Sequence, residues 1–308
     1  MKRVFASATA NQRLMLTNGM REKERINMKD RTKFIGASDI PAILGISPYK
    51  TPLQVWAEKT GEVQPADLSD VECVEWGTRL ERVVSEKFAE KHNVKLIARK
   101  TRYVHPSFDY ISCELDNIIA GTEELVEIKT VNAWAWKSWE NPDELPDHVV
   151  IQVMVQMGLS RRKVGWVACL CGGQKYIEKR IEFDQDFYDD IIAKCIYFWE
   201  MVEKKIPPTV ESGDNSFMIE LYPTAGANMK EATQDIVDAV GALQLIKSEL
   251  IVADKAKKEL EARIKAVIGS NLGLDTPEYL VKWLPVKGST YTVVRKDGRM
   301  LKVTKKKG

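Results

Sequence analysis

Histidine is scarce in this chain. His92, His105 and His148 are the only three in 308 residues, and no two stand at a spacing that would let them share a metal. Cysteine is little better represented: there are five, an odd number, with no Cys-x-x-Cys pair. That argues against a disulfide framework, a structural zinc site and an iron–sulfur cluster. Cys169 and Cys171 stand two apart in an apolar run, which puts them on one face of an expected strand as packing residues. No uninterrupted apolar run is long enough to span a bilayer. The basic start has no signal-peptide core behind it, because Asn11, Gln12 and Arg13 break the apolar character. The expectation is a cytoplasmic protein with no membrane partner. Charge of one sign is also missing: 46 Lys+Arg against 44 Asp+Glu leave +2. A small sum neither favours nor excludes nucleic acid, because distribution decides. The distribution is biased at one end, where nine basic residues between Lys282 and Lys307 face a single acid, Asp297.

The length suits one large domain with an appendage, or two domains. Residues 1–33 have no clear period and read as an arm. Pro41 and Gly45 bracket a short helix that Ser38 or Asp39 could cap, and Thr51 caps another running from Pro52 to Lys59. Ser69 and Glu72 have capping-box spacing ahead of a helix with Trp76, Leu80, Val83, Val84 and Phe88 on one face. Strands are expected at about 94–104, 110–119 and 125–131, with a turn at Gly121-Thr122. A helix ending at Leu159 follows, then a hairpin turning at Gly172-Gly173, then a helix capped by Asp184. This order predicts a mixed α/β core with helices against a sheet. Beyond Pro223, Leu243, Leu250 and Ile264 recur at heptad spacing, interrupted by Lys257, as do Ile246, Ala253, Leu260 and Val267, so one long helix or two are expected, with a coiled-coil-like seam or packed on their own domain. Thr290–Val294 and Met300–Val303, around Asp297-Gly298, predict a basic hairpin.

The chemistry centres on Asp116 and on Glu127-Ile128-Lys129. Side chains alternate along a strand, so Glu127 and Lys129 point the same way. The turn at Gly121 folds the strand carrying Asp116 back beside them. Two carboxylates and an ammonium on one sheet face are what phosphodiester hydrolysis needs. Carboxylate oxygens bind a hard dication, which polarises the phosphoryl group and acidifies a water. A lysine can orient that water and stabilise charge at phosphorus, and the Ile128 carbonyl is a plausible further ligand. The short pattern also fits a cross-strand salt-bridge cluster. Its context adds to it. Glu81 sits at the edge of an apolar helix face, with Gly77 leaving room beside it. Gln152 interrupts the apolar run Val149–Val155, where an amide is costly unless it finds partners. Trp134, Trp136 and Trp139 follow the second carboxylate strand and could pack under a loop or stack on a DNA end.

Taken in order, Ile35-Gly36-Ala37-Ser38-Asp39-Ile40, Trp76-Gly77-Thr78-Arg79-Leu80-Glu81, Leu115-Asp116, Val126-Glu127-Ile128-Lys129 and Gln152-Val153-Met154-Val155-Gln156 resemble the YqaJ viral recombinase family. Lambda exonuclease belongs to the same broader group, and the likeness covers about residues 31–205. The resemblance implies an α/β, restriction-endonuclease-like (PD-(D/E)XK) core of a mixed central sheet flanked by helices over residues 34–210. The C-terminal extension of long helix and β-hairpin then spans 211–308. It implies a deoxyribonuclease of the alkaline-exonuclease type: Mg2+-dependent, with Mn2+ able to substitute, degrading duplex DNA 5′ to 3′ and leaving a 3′ single strand for a single-strand annealing recombinase. It further implies a phage or prophage protein acting in the bacterial host as a ring-shaped homotrimer. Carried over by residue, Asp116 and Glu127 would be metal ligands, Glu81 would serve a second metal, Lys129 would activate the water and Gln152 would position it. Arg31 and Ser38 would receive the 5′-phosphate. The proline of the class motif is absent, since Glu114-Leu115 precede Asp116. Glu114 also stands where lambda exonuclease has a serine, which puts that part of a phosphate pocket in doubt. An endonuclease of the same class and a non-catalytic DNA-binding or oligomerising module remain the alternatives.

Overall fold

The computed structural model describes residues 31–139, 144–290, 292 and 298–304, so the expected arm up to residue 30 lies outside it. The chain divides into two compact units, one through Leu221 and one from Tyr222. In the first unit a two-residue strand, β1 (Ile35–Gly36), leads to the short helix α1 (Ile40–Ile43). The Asp39 side chain makes no cap there. It serves Arg31, Lys59 and the Gly36 N–H instead.

Helix α2 (Pro52–Thr60) starts where expected. Thr51 and Gln54 exchange reciprocal side-chain-to-backbone bonds, and Gly61 ends the helix at φ 77°. Helix α3 (Glu72–His92) corrects two expectations. It starts after Val71 with no side-chain cap, and the Ser69 N–H, which a capping box would give to the Glu72 side chain, goes to the Asp67 carboxylate at 2.9 Å. Its apolar face is covered only at Val84 and Phe88, while Trp76 and Val83 stay half exposed. Gly77 lies against Thr130, near the end of the strand below. Val83 is one position round from Val84, on the solvent side.

Three antiparallel strands follow: β2 (Leu96–Val104), β3 (Ile111–Ile119) and β4 (Glu124–Val131). Gly121, at φ 80°, turns β3 into β4. Helix α4 (Asp147–Ser160) then crosses over, and β5 (Val164–Cys171) joins β4 in parallel. The turn Gly172-Gly173, with φ 58° and 74°, returns the chain as β6 (Lys175–Glu182). Asp184 caps helix α5 (Gln185–Glu203) through the Phe187 N–H. One sheet face is covered by α4 and α5 over the main core, and Cys169 and Cys171 pack in it as free thiols. The other is covered by α3, with Val84 and Phe88 on Val126, Ile128 and Ala168. This is the mixed central sheet flanked by helices that was expected, with the meander, crossover helix and parallel strand of a PD-(D/E)XK-like fold.

Residues 212–221 were expected in the extension but pack into this unit. Asp214 is fully buried and accepts bonds from Thr51 Oγ1 and the Glu211 N–H, and Phe217 on helix α6 (Phe217–Leu221) joins the core. Helix α4 meets α5 so closely at Gly158 that an added Cβ would run into the Tyr188 ring. Gly158→Ala is therefore expected to destabilise the unit by about 1–3 kcal/mol, read as a lower denaturation midpoint.

In the second unit, helix α7 (Gln234–Ile268) is the long helix expected, with Ile246, Leu250, Leu260 and Val267 of its heptad rows exposed. The basic hairpin expected around Asp297-Gly298 has part of its turn and most of its first strand outside the described residues, and Met300–Val303 forms no strand. Among the described residues this unit pairs β7 (Gly273–Asp275) with β8 (Leu280–Lys282), closed where Thr276 and Tyr279 bond each other. Among the described residues no helix is long and apolar enough to cross a membrane.

Candidate active site

The site begins with an opening in the sheet. Strands β3 and β4 pair at Asn117–Val126 and Ile118–Leu125, and past Asn117 the pairing stops. β1 takes up β3 further along, at Ile111 and Ser112. The backbone groups of β4 that would have faced β3 are left without a strand partner, and an unpaired buried N–H is costly. Asp116 supplies the missing acceptor: its Oδ2 takes the Ile128 N–H at 2.8 Å. In a strand the N–H and C=O of one residue face the same edge, so the Ile128 carbonyl is directed into the same gap.

Glu127 stands beside this gap, 4 % exposed. Its Oε1 accepts from Lys129 Nζ at 2.7 Å and from Gln152 Nε2 at 2.6 Å, and its Oε2 accepts from Gln156 Nε2 at 2.7 Å. Lys129 also donates to Gln152 Oε1 at 3.0 Å. Burial, followed by the charge of Glu127, pushes the Asp116 carboxyl up to about 8, and Glu81 adds to the shift. Burial works against the Lys129 ammonium as well. There the charge of Glu127, its hydrogen bond and the charge of Asp116 outweigh it and hold Lys129 above its ordinary value. Lys129 is thus kept as a cation, while the second carboxylate resists ionising next to the first.

A cleft of about 300 Å³ opens on this group and is lined by five anticipated residues: Arg31, Ser38, Asp116, Glu127 and Gln152. In the same lining Arg31 donates to Ser38 Oγ at 3.1 Å, and it donates to Asp39 at 3.0 Å. Burial works to raise Asp39, but the charges of Lys59 and Arg31 prevail and lower it, so it is an ionised anchor for Arg31. Glu81 is exposed on α3 and does not line the cleft, although its charge is felt at Asp116. Of the tryptophans, Trp139 is buried in the core and Trp134 is exposed, while the Trp136 side chain lies outside the described residues.

Arg102, Ser112 and Gln156 are among the lining residues that were not anticipated as site residues. Arg102 donates to Ser112 Oγ at 2.8 Å and lies over the Phe34 ring at 3.8 Å, a second guanidinium in the lining. No local pattern marks it, because its partners are far off in sequence. Gln156 could have been found from its i,i+4 spacing to Gln152.

Among the described residues no three His, Cys, Asp or Glu side chains form a ready metal cage. The donor set is two carboxylates and a backbone carbonyl, all hard oxygens. That fits a cation of the Mg2+ type, which takes one or two carboxylates and fills its shell with water and substrate phosphate. It does not fit zinc, which favours nitrogen and sulfur. The raised Asp116 agrees, since two crowded carboxylates are relieved by a dication.

Comparison with known proteins bears on this arrangement. Residues 28–163 match the YqaJ-like viral recombinase domain. The chain is 31% identical over 244 residues to the uncharacterized protein YqaJ of Bacillus subtilis (strain 168), covering 77% of this chain and 75% of that protein. It is also similar to the crystal structure of an alkaline exonuclease from Laribacter hongkongensis, with a TM-score of 0.49 and 18% identity over 57% of this chain and 91% of that one. A phage related exonuclease from Haemophilus somnus 129PT gives 0.41 and 12%, over 56% and 95%. The sequence match over three quarters of a relative is decisive: the chain belongs to the YqaJ-like viral recombinase domain family.

Proposed function

We propose that the chain is a Mg2+-dependent deoxyribonuclease, with Mn2+ able to substitute, that degrades duplex DNA from a 5′ end and leaves a 3′ single strand. The observation that carries this is one cleft whose lining brings Asp116, Glu127 and Gln152 together with Arg31, Ser38 and Arg102, while Lys129 is hydrogen-bonded to Glu127 and Gln152 behind it. Asp116, Glu127 and the Ile128 carbonyl would hold the cation, and Glu81 would serve a second. The cation supplies charge neutralisation at the scissile phosphate. Lys129, held as a cation, donates from Nζ to orient the attacking water and to stabilise negative charge building at phosphorus. Gln152 fixes the direction of that ammonium through its Oε1. Arg31 and Arg102 bind the terminal phosphate, with Ser38 and Ser112 as hydroxyl partners. This pairing of guanidinium groups replaces the hydroxyl contact that Glu114 cannot make. In this reading the second unit adds DNA grip or partner contact, the partner is a single-strand annealing recombinase, and the protein works as a homotrimer in the bacterial cytoplasm.

The test is digestion of linear duplex DNA labelled at one 5′ or one 3′ end, beside a closed circle. Early release of the 5′ label with the circle intact is expected; cutting of the circle would make the protein an endonuclease, and binding without cleavage a DNA-binding module. Arg102→Ala is expected to raise KM about tenfold for 5′-phosphorylated ends, the loss of one charge-assisted bond, and to change KM little for 5′-hydroxyl ends. Steady-state kinetics on the two substrates check it.

A further inference from the structure

Gln156 carries a cost that packing does not explain. It lies on α4 one turn beyond Gln152, among Val153, Met154, Val155 and Met157, and is 2 % exposed. Its Oε1 is buried without a hydrogen-bond partner. An orphaned buried acceptor is destabilising, and a methionine or leucine would fill the same space without it. The amide's other end shows what the cost maintains. Gln156 Nε2 donates to the Glu114 backbone carbonyl on β3 at 3.1 Å and to Glu127 Oε2 on β4 at 2.7 Å. One NH2 group therefore ties the two strands across the opening where their ladder has ended.

The lone pairs of Glu127 make the tie consequential. A carboxylate oxygen has about two acceptor sites. Oε1 has two donors, Lys129 and Gln152, whereas Oε2 has one, Gln156. The open site on Glu127 is on Oε2, and its direction is set by where Gln156 holds that oxygen. We infer that Gln156 is a positioning residue: it orients Glu127 Oε2 toward the cation site and holds β4 at a fixed distance from β3. The inference rests on the metal-dependent reading above, and it assigns a task to a residue that touches neither DNA nor cation.

The test measures Mn2+ binding directly, from the paramagnetic resonance signal of free Mn2+, in the full-length parent, in Gln156→Met and in Gln156→Asn. Methionine conserves volume and removes the donor; asparagine keeps the amide but withdraws it by one methylene. Both are expected to bind Mn2+ about 10–100-fold more weakly. Their kcat on linear duplex should fall, and KM for DNA should stay within about twofold, because no DNA contact is lost. Circular dichroism and melting identify the variants that fold. A folded variant that binds Mn2+ as tightly as the parent overturns the positioning role and leaves the metal-dependent reading intact. A parent that binds no Mn2+ removes both.

Discussion

Asp116→Asn is expected to stabilise the metal-free protein at alkaline pH and to abolish its nuclease activity. Asp116 is buried beside Glu127, and its carboxyl is pushed up to about 8. In the unfolded chain an aspartate ionises near its ordinary value of about 4. Between these two values the folded chain holds a proton that the unfolded chain has lost, so metal-free stability falls as pH rises from about 4 to about 8, then levels off. Asparagine has no proton to lose and can still accept from the Ile128 N–H, so the variant lacks that slope. Parent and variant should be close below pH 4 and separate by a few kcal/mol, to order of magnitude, by pH 9. Mg2+ acts against the same crowding, so the stability it adds to the parent should grow across that window and be largely absent in the variant. Activity should fall at least ~1,000-fold, since a ligand is lost where charge must be stabilised. Denaturation midpoints at pH 4, 6 and 9, with and without Mg2+, read the stability half. A variant as pH-sensitive as the parent would show that Asp116 does not carry the buried proton.

Lys129→Met is expected to separate binding from chemistry. The methionine keeps most of the apolar stem and removes Nζ, which leaves Glu127 Oε1 with Gln152 and leaves Gln152 Oε1 without its donor. The activity loss should be about 10²–10⁴-fold, the range for a positioned group that acts on the proton-transfer step. Mn2+ binding should hold or tighten, because a positive charge has been removed next to the cation. Asp116→Asn weakens both binding and chemistry. A matched loss of Mn2+ affinity in Lys129→Met would mean that the lysine only supports the ligand shell.

The contrast between these residues shows what local pattern can carry. The meander was legible because β3 and β4 alternate and Gly121 supplies positive φ between them. The convergence of Glu127 with Lys129 follows from a period of two, and the structure has it as a 2.7 Å pair. The bond from the Ile128 N–H to Asp116 was not legible, because it exists only where the sheet opens, and that opening is a property of three strands together. Arg102 was hidden for a related reason: on β2 it is one more strand residue until the fold brings Ser112 and Phe34 beside it. Where short signals failed, another local partner or the end of a neighbouring element had won. Asp67 took the N–H of Ser69, and the strand under α3 ended near Thr130. Glu81 shows the limit in the other direction. Its place at the edge of an apolar face predicts a carboxylate directed toward the core or a cleft, whereas Glu81 is exposed on α3 and its charge is felt at Asp116.

The central claim is that Asp116 and its neighbours make a metal-dependent nuclease, and the most direct measurement is nucleotide release from linear duplex DNA by the purified chain, with Mg2+ and with a chelator, beside Asp116→Asn. The account predicts release by the parent with Mg2+ alone and none by the variant. Release by Asp116→Asn at the parent's rate, or release by the parent that survives chelation, would contradict it.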